Sequence, residues 1–154
     1  MIHRILLRDV AESDLPILFE QQLDPEATAM AAFPARDKEA FYAHSRKIMA
    51  DRSLVFKVVV SDDQVAGSFF SWEMEGNWEV GYWLGREFWG KGIATRALAE
   101  YLKSTTTRPL SAHVAKHNIG SRRVLEKCGF TVTGEDSYTN PAGVRVEEFV
   151  LTLR

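Results

Sequence analysis

The chain has 154 residues, of which 45% are hydrophobic and 26% are charged. This composition is typical of a folded globular protein and excludes a disordered chain, a collagen and a coiled-coil rod. The formal net charge is only -2 at pH 7, so no overall charge attracts nucleic acid or an anionic membrane surface. We therefore expect a single domain over residues 1–154, with no nucleic acid and no membrane as partners.

The cysteine content and the apolar runs indicate the setting of the protein. Cys128 is the single cysteine, so the chain cannot form an internal disulfide, and no spacing of His, Cys, Asp or Glu indicates a metal site. The first residues carry no apolar run typical of a signal peptide. No run approaches the ~20 residues of a membrane-spanning helix. We predict a cytoplasmic protein without a bound metal.

The first half of the chain predicts a strand at residues 2–8 and then helices. Ser13 and Asp14 can cap the first helix, and Asp37 begins a clearer one. Residues 25–33 predict a turn or a short helix between them. Runs rich in β-branched and aromatic residues follow, separated by turn residues, and predict an antiparallel meander. Its three strands cover residues 54–60, 65–74 and 78–84.

The second half predicts a β-α-β unit and a final pair of strands. A helix follows Gly90-Lys91-Gly92, and a second helix at residues 118–127 ends before Gly129. The remaining strands are predicted at residues 110–115, 130–134 and 144–153. A β-α-β unit makes its two flanking strands parallel. The order therefore predicts an α+β fold of three layers, α/β/α, with a mixed, mostly antiparallel sheet of about seven strands.

A glycine-bearing loop between a strand and a helix is the first candidate binding motif. The first N–H groups of a helix lack intrahelical partners and favour an anion such as phosphate. An ordinary tight turn is the alternative reading. A Walker loop is excluded because Gly92 follows Lys91, and the dinucleotide fingerprint lacks its third glycine because Thr95 stands there.

A second motif begins at Asn118, which can cap a helix and lies one turn before Ser121 on the same face. Together the two stretches resemble the GNAT superfamily of acetyl-coenzyme-A-dependent N-acetyltransferases, and most of all its ribosomal-protein alanine N-acetyltransferase branch. The resemblance covers about residues 54–153. Its motifs here are Gly81-Tyr82-Trp83-Leu84, Trp89-Gly90-Lys91-Gly92, Asn118-x-x-Ser121, Val124-Leu125-Glu126-Lys127 and Gly129-Phe130. Trp89 stands where the superfamily motif has Gln or Arg, which removes one polar contact.

The resemblance implies that the central parallel strands splay and that acetyl-coenzyme A, the co-substrate, binds in the gap. The implied cofactor-binding residues are Tyr82, Trp83, Leu84, Trp89, Gly90, Lys91, Gly92, Ile93, Ala94, Thr95, Asn118 and Ser121. A basic cluster nearby can meet the phosphates or form a solvated helix face. Its members are Lys116, His117, Arg122, Arg123 and Lys127.

The resemblance also implies direct acetyl transfer to a primary amine. An ammonium cannot attack a thioester, and deprotonating a lysine-like amine at pH 7 costs about 4–5 kcal/mol. Glu79 is the implied base. Ser121 or Tyr138 can protonate the leaving thiolate, since the helix after Asn118 has no tyrosine. His113 is interpreted as a packed strand residue.

The acceptor side is implied to lie in the early helical region. The residues expected there are Met30, Phe33, Pro34, Phe41 and Tyr42, with Trp72, Glu73 and Glu75 as further candidates. The apolar character of the first five argues weakly against a polycationic acceptor, although Glu73 and Glu75 can still attract an amine. The acceptor can be a peptide or protein N-terminus or a small-molecule amine.

Other functions remain open at this point. The chain can be a catalytically weak acyl-coenzyme-A-binding sensor, or a general nucleotide binder. The sequence also leaves open whether the protein is a monomer or a homodimer.

Overall fold

One sheet of seven strands organises residues 4–154, which are the residues that the computed structural model describes. The strands are β1 (Ile5–Asp9), β2 (Val55–Ser61), β3 (Gln64–Met74), β4 (Asn77–Leu84), β5 (Leu110–Ala115), β6 (Thr131–Thr139) and β7 (Arg145–Leu153). Their order is β1-β2-β3-β4-β5-β7-β6. Among these strands only β4 and β5 pair in parallel. The predicted mixed, mostly antiparallel sheet is confirmed.

Five α-helices accompany the sheet in the part of the chain that the structure describes. They are α1 (Leu15–Gln22), α2 (Pro25–Ala31), α3 (Lys38–Ala50), α4 (Ile93–Ser104) and α5 (Ile119–Lys127). The predicted cap of α3 is confirmed, because the Asp37 carboxylate accepts a hydrogen bond from the Ala40 N–H at 2.8 Å. None of the helices within residues 4–154 has both the length and the apolar character needed to cross a bilayer.

Two adjacent residues of β2 show that the sheet is covered on both faces. Val58 and Val59 point to opposite faces because side chains alternate along a strand, yet both are 0% exposed. Val58 packs in a cluster with residues of α1 and α3, and Val59 in a larger cluster with residues of α4 and α5. The structure therefore has the three layers that the sequence predicts.

The bounds of β1 and β6 differ most from the prediction, and those of the other strands differ by at most one residue at either end. β1 ends one residue later than predicted, and the predicted residues 2 and 3 lie outside the described residues. The strand predicted at residues 130–134 continues as β6 to Thr139, because it passes an irregularity at Val132/Gly134 and stays paired with β7. Tyr138 therefore lies in a strand.

The segment before α1 is held by an ion pair instead of by the predicted cap. Asp14 makes no side-chain cap of α1. Its carboxylate accepts two hydrogen bonds from the Arg8 guanidinium, at 2.8 and 2.9 Å, and one from the Ala11 N–H at 2.7 Å. The hydrogen bonds from Arg8 hold the pKa of Asp14 below its usual range. This pair ties β1 to the segment that leads into α1.

We expect Asp14→Asn to lower the free energy of unfolding by about 1–3 kcal/mol at pH 7, because charge-assisted bonds to a buried carboxylate are lost. A lowered folded-state pKa gives stability that is present above the unfolded pKa of about 4 and is lost as pH falls through the folded value. Urea unfolding between pH 7 and pH 3 should therefore show the difference from wild type shrinking with acid.

Glu12→Gln is the matched control. It removes the ion pair between Glu12 and Arg46, in which both side chains are more than half exposed, so we expect a smaller loss of stability. An equal loss in the two variants at pH 7 would contradict the role given to Asp14.

Candidate active site

The parallel strands β4 and β5 separate after a short contact. Their register contains only the pairs Trp78 with Leu110 and Glu79 with Ser111. β4 continues to Leu84 and β5 to Ala115 without further pairs between them. The β5-facing edge of residues 80–84 therefore has no sheet partner in the described chain, and its main-chain groups can bind a ligand in the gap.

The glycine loop predicted as a binding motif lies at the same end of β4. Gly90 and Gly92 have φ values of 73° and 75°, and Gly92 is the N-cap of α4. Glycine adopts this left-handed region without a steric penalty, and it brings the first N–H groups of α4 to the surface of the loop. The Trp89 indole N–H donates to the Leu84 carbonyl at 3.1 Å, so this tryptophan fastens the loop to the end of β4.

A cleft of about 470 Å³ lies between the loop, the end of β4 and helices α2, α4 and α5. We call it the β4–α4 cleft. Of the residues predicted to bind the cofactor, only Lys91 does not line it, and that side chain lies exposed on the loop. The lining residues from the prediction are Tyr82, Trp83, Leu84, Trp89, Gly90, Gly92, Ile93, Ala94, Thr95, Asn118 and Ser121.

Two hydroxyl groups meet across the β4–α4 cleft. Tyr82 Oη and Ser121 Oγ lie 2.6 Å apart, although 39 residues separate them in the chain. Burial raises the pKa of Tyr82 to about 12. The Asn118 side chain accepts from the Ser121 N–H at 3.2 Å and caps α5 as predicted. The sequence prediction assigned Tyr82 to cofactor contact alone, because nothing local indicates its pairing with Ser121.

The structure divides the predicted basic cluster. Arg123 and Lys127 line the β4–α4 cleft and are exposed. The other members each have a protein partner. Lys116 pairs with Glu135, His117 bonds to the Ala29 carbonyl, and Arg122 pairs with Glu126.

Glu79 lies buried at the point where β4 and β5 separate. It is 3% exposed, and its Oε1 lies 2.6 Å from Nδ1 of His113. The hydrogen bond to Glu79 is the main cause of a raised His113 pKa. His113 lies in β5, which agrees with its interpretation as a packed strand residue, and it is also the direct partner of the predicted base. Neither residue lines the β4–α4 cleft.

Two further carboxylates surround His113. Possible ligand atoms of His113, Asp136 and Glu148 lie within 4.8 Å of one another, a grouping that the sequence spacing does not reveal because three strands supply it. Burial raises the pKa of Glu148. His113 therefore lies among the carboxylates of Glu79, Asp136 and Glu148.

Tyr138, one of the two predicted proton donors, lies apart from the other. It is partly buried on β6, and burial raises its pKa. It does not line the cleft that contains Ser121. The structure thus brings Ser121 together with Tyr82, and leaves Tyr138 beside Glu148, which also acts on its pKa.

A second cavity, of about 920 Å³, lies between α1, α3 and the sheet. We call it the aromatic cavity. Tyr82 and Trp83 line both it and the β4–α4 cleft. Of the residues predicted on the acceptor side, the aromatic cavity is lined by Phe33, Pro34, Phe41, Trp72 and Glu73.

Three residues predicted on the acceptor side lie elsewhere. Met30 lines the β4–α4 cleft, because α2 covers that cleft. Tyr42 packs against Phe19 and Phe41, and Glu75 stands in the turn after β3 with a φ of 53°. Neither Tyr42 nor Glu75 lines the aromatic cavity.

Comparison with known proteins gives one consistent result. An uncharacterised N-acetyltransferase named p20 from Bacillus licheniformis is 28% identical, over 97% of this chain and 92% of its own. The structure of Mycobacterium smegmatis RimJ in complex with CoA-disulfide is similar with a TM-score of 0.77 and 20% identity, over 97% of this chain and 81% of that one.

A second similar structure is the aminoglycoside acetyltransferase AAC(6')-Ib with coenzyme A, with a TM-score of 0.72 and 22% identity over 96% of this chain and 94% of that one. A family model of the acetyltransferase (GNAT) domain matches residues 4–131. The open β4–β5 pair, the glycine loop at α4 and this match agree: the chain belongs to the GNAT acetyltransferase family and is an acyltransferase.

Proposed function

We propose that the protein transfers the acetyl group of acetyl-coenzyme A to a primary amine by direct attack, within a complex of both substrates. The observation that carries this proposal is the separation of β4 from β5 beside the glycine loop of α4. Both similar structures described above contain coenzyme A or its disulfide, which supports the same ligand here. The acceptor is a peptide or protein N-terminus or a small-molecule amine.

The β4–α4 cleft fits the chemistry of this co-substrate. We place the diphosphate at residues 90–95, where loop and helix N–H groups favour an anion. The pantetheine arm would then lie in the β4–β5 gap, where the free edge of β4 can bond to its amides. Arg123 and Lys127, the exposed basic residues of the cleft, are positioned for the phosphates.

The paired hydroxyls of Tyr82 and Ser121 fit the leaving group. In the reaction the amine nitrogen forms a bond to the thioester carbon, the C–S bond breaks, and the sulfur leaves as a thiolate. A free thiol has a pKa near 8.5, whereas the pKa of Tyr82 is about 12. Tyr82 therefore keeps its proton and stabilises the thiolate by donating a hydrogen bond, with Ser121 beside it.

Glu79 is our proposed base, acting through water. It lies two residues before Gly81 on the same face of β4 and opposite Trp72 on β3, and both of these residues line the aromatic cavity. Residues at i and i+2 of a strand are about 7 Å apart, which one or two water molecules can bridge. The amine proton would pass along this water to the buried carboxylate of Glu79. The contact with His113 holds that carboxylate in position.

We further propose that the reaction requires no metal and that a single domain performs it. We also propose that the protein works in the cytoplasm, where acetyl-coenzyme A is available.

The proposal predicts that amines cause release of coenzyme A thiol from acetyl-coenzyme A, measured with a thiol reagent over a panel of dipeptides, polyamines, aminoglycosides and amino acids.

Gly92→Val should weaken acetyl-coenzyme A binding by about tenfold or more, because valine is strained at positive φ. Gly143→Val is the matched control, since Gly143 has a φ of 81° in the β6–β7 turn, away from the cleft. A protein that is stabilised by acetyl-coenzyme A but releases no thiol with any amine is a sensor.

We expect Glu79→Gln to lower kcat/KM for an alkylamine by about 100-fold at pH 7, because a positioned base contributes roughly that much. The deficit should shrink as the pH approaches the amine pKa, where the neutral amine forms without help. A pH profile of kcat/KM from pH 6 to 10 measures this convergence.

His113→Asn separates the base from its ion pair. It removes the same contact to Glu79 but keeps the carboxylate. The variant should therefore retain more activity than Glu79→Gln, and its kcat/KM should depend more steeply on pH than that of Glu79→Gln. Parallel profiles for wild type and Glu79→Gln would eliminate Glu79 as the base.

Tyr82→Phe should lower kcat by about 10- to 100-fold and change the KM for acetyl-coenzyme A by less than about threefold, because a hydrogen bond to a charged group contributes about 1.5–3 kcal/mol. Ser121→Ala should have a smaller effect in the same direction. Steady-state kinetics of thiol release measures both, and Tyr138→Phe is the discriminating variant. If only the change at Tyr138 lowers kcat, the group that acts on the leaving thiolate lies on β6, and the role proposed for Tyr82 is contradicted.

A further inference from the structure

The aromatic cavity has walls that suit an apolar ligand. Its volume of about 920 Å³ is at the upper end for small-molecule sites, which are mostly lined by apolar and aromatic side chains. Phe56 and Phe70 stack with ring centroids 4.8 Å apart on its floor. Its other aromatic side chains are Phe33, Phe41, Trp72, Trp78, Tyr82 and Trp83.

Small residues create this space in an otherwise crowded layer. Gly81 faces Phe70 across the β3–β4 pair, and Ser68 faces Trp83. Ser45 on α3 is 2% exposed and closes the opposite side. A β-carbon at Gly81 would approach Trp72 to 3.4 Å, so this tryptophan lies over the glycine and forms one wall. A larger side chain at Ser68 would fill the cavity from its floor.

The charged side chains at the aromatic cavity are few and mixed in sign, which suits a polycation less well than an acidic pocket would. Its lining carboxylates are Asp51 and Glu73, which are exposed at its edge. Asp51 already accepts two hydrogen bonds from Ser53. Arg36 also lines the cavity, above the ring of Phe33, and places a positive charge there. Burial, with the nearby Arg36 and Lys47, lowers the pKa of His44, so its imidazole stays neutral.

The position of the aromatic cavity relates it to the reacting atoms. Tyr82 and Trp83 form a wall shared with the β4–α4 cleft, and Tyr82 is the residue that we place at the leaving sulfur. An amine whose nitrogen reaches the thioester at this wall can extend its carbon skeleton only a short way before it enters the aromatic cavity.

We propose that the preferred acceptor is a primary amine that carries an aromatic or bulky apolar group close to its nitrogen, and that the aromatic cavity binds this group. This inference rests on the proposed function. A small arylalkylamine and a peptide with an N-terminal aromatic residue share this chemistry. Polyamines and aminoglycosides do not share it.

Acceptor kinetics test the inference with ethylamine, phenethylamine, phenylalanine amide and spermidine. Burial of the ring should give phenethylamine at least about a tenfold higher kcat/KM than ethylamine, since even one methylene in an apolar pocket changes specificity by ~10-fold or more. Comparison with phenylalanine amide separates the small amine from the peptide-like source. A preference for spermidine over phenethylamine overturns the inference.

Ser68→Leu fills the cavity, and Ser68→Ala is its size-matched control. Ser68→Leu should lower the ratio of kcat/KM for phenethylamine to that for ethylamine by about tenfold, whereas Ser68→Ala should keep the ratio. The thermal midpoint of each variant shows whether it is folded. If Ser68→Leu does not fold, Phe33→Ala removes one aromatic wall on a loop and should lower the ratio in the same direction. An unchanged ratio in a folded filling or wall variant contradicts the inference.

Calorimetric binding of phenethylamine without acetyl-coenzyme A keeps the two proposals separate. If no amine releases thiol, the proposed function fails, and binding of phenethylamine to wild type that Ser68→Leu weakens still supports the cavity inference. If thiol is released with other amines but phenethylamine does not bind, the function stands and the inference is overturned.

Discussion

The brief parallel contact between β4 and β5 is the constraint on which the rest of the site depends. Two residue pairs hold the strands together, and beyond Glu79 they diverge. A sheet that stayed paired would use the main-chain groups of β4 internally and leave no opening. At the gap, Tyr82 Oη lies 2.6 Å from Ser121 Oγ on α5. A side-chain contact therefore joins β4 to α5 where no main-chain pairing joins β4 to β5.

The alternation of side chains along β4 lets one strand serve two cavities. Glu79, Gly81 and Trp83 share one face, which carries the aromatic cavity, while Tyr82 and Leu84 point to the face with α4 and α5. Beyond Glu79, β5 no longer pairs with β4, and Tyr82 and Trp83 border both spaces there. A donor and an acceptor bound on opposite sides would therefore meet at the same short segment.

The sequence predicted most reliably what is local. The glycine loop and the Asn118 cap lie within short stretches whose backbone requirements can be read directly, and the order of elements gives the layers. Contacts between distant residues were not readable, because no pattern within a strand names its partner. The pairing of Glu79 with His113 and the meeting of Tyr82 with Ser121 both span more than thirty residues.

The buried carboxylate of Glu79 needs polar neighbours, and His113 is the nearest of them. An isolated charge at 3% exposure would be costly, and the contact with the His113 ring at 2.6 Å offsets part of that cost. His113 in turn lies near Asp136 and Glu148, whose charges help to raise its pKa. Polar residues on three strands thus surround one carboxylate at the point where β4 and β5 part. This concentration of charge at the opening is the structural observation that best supports our proposal of Glu79 as the base.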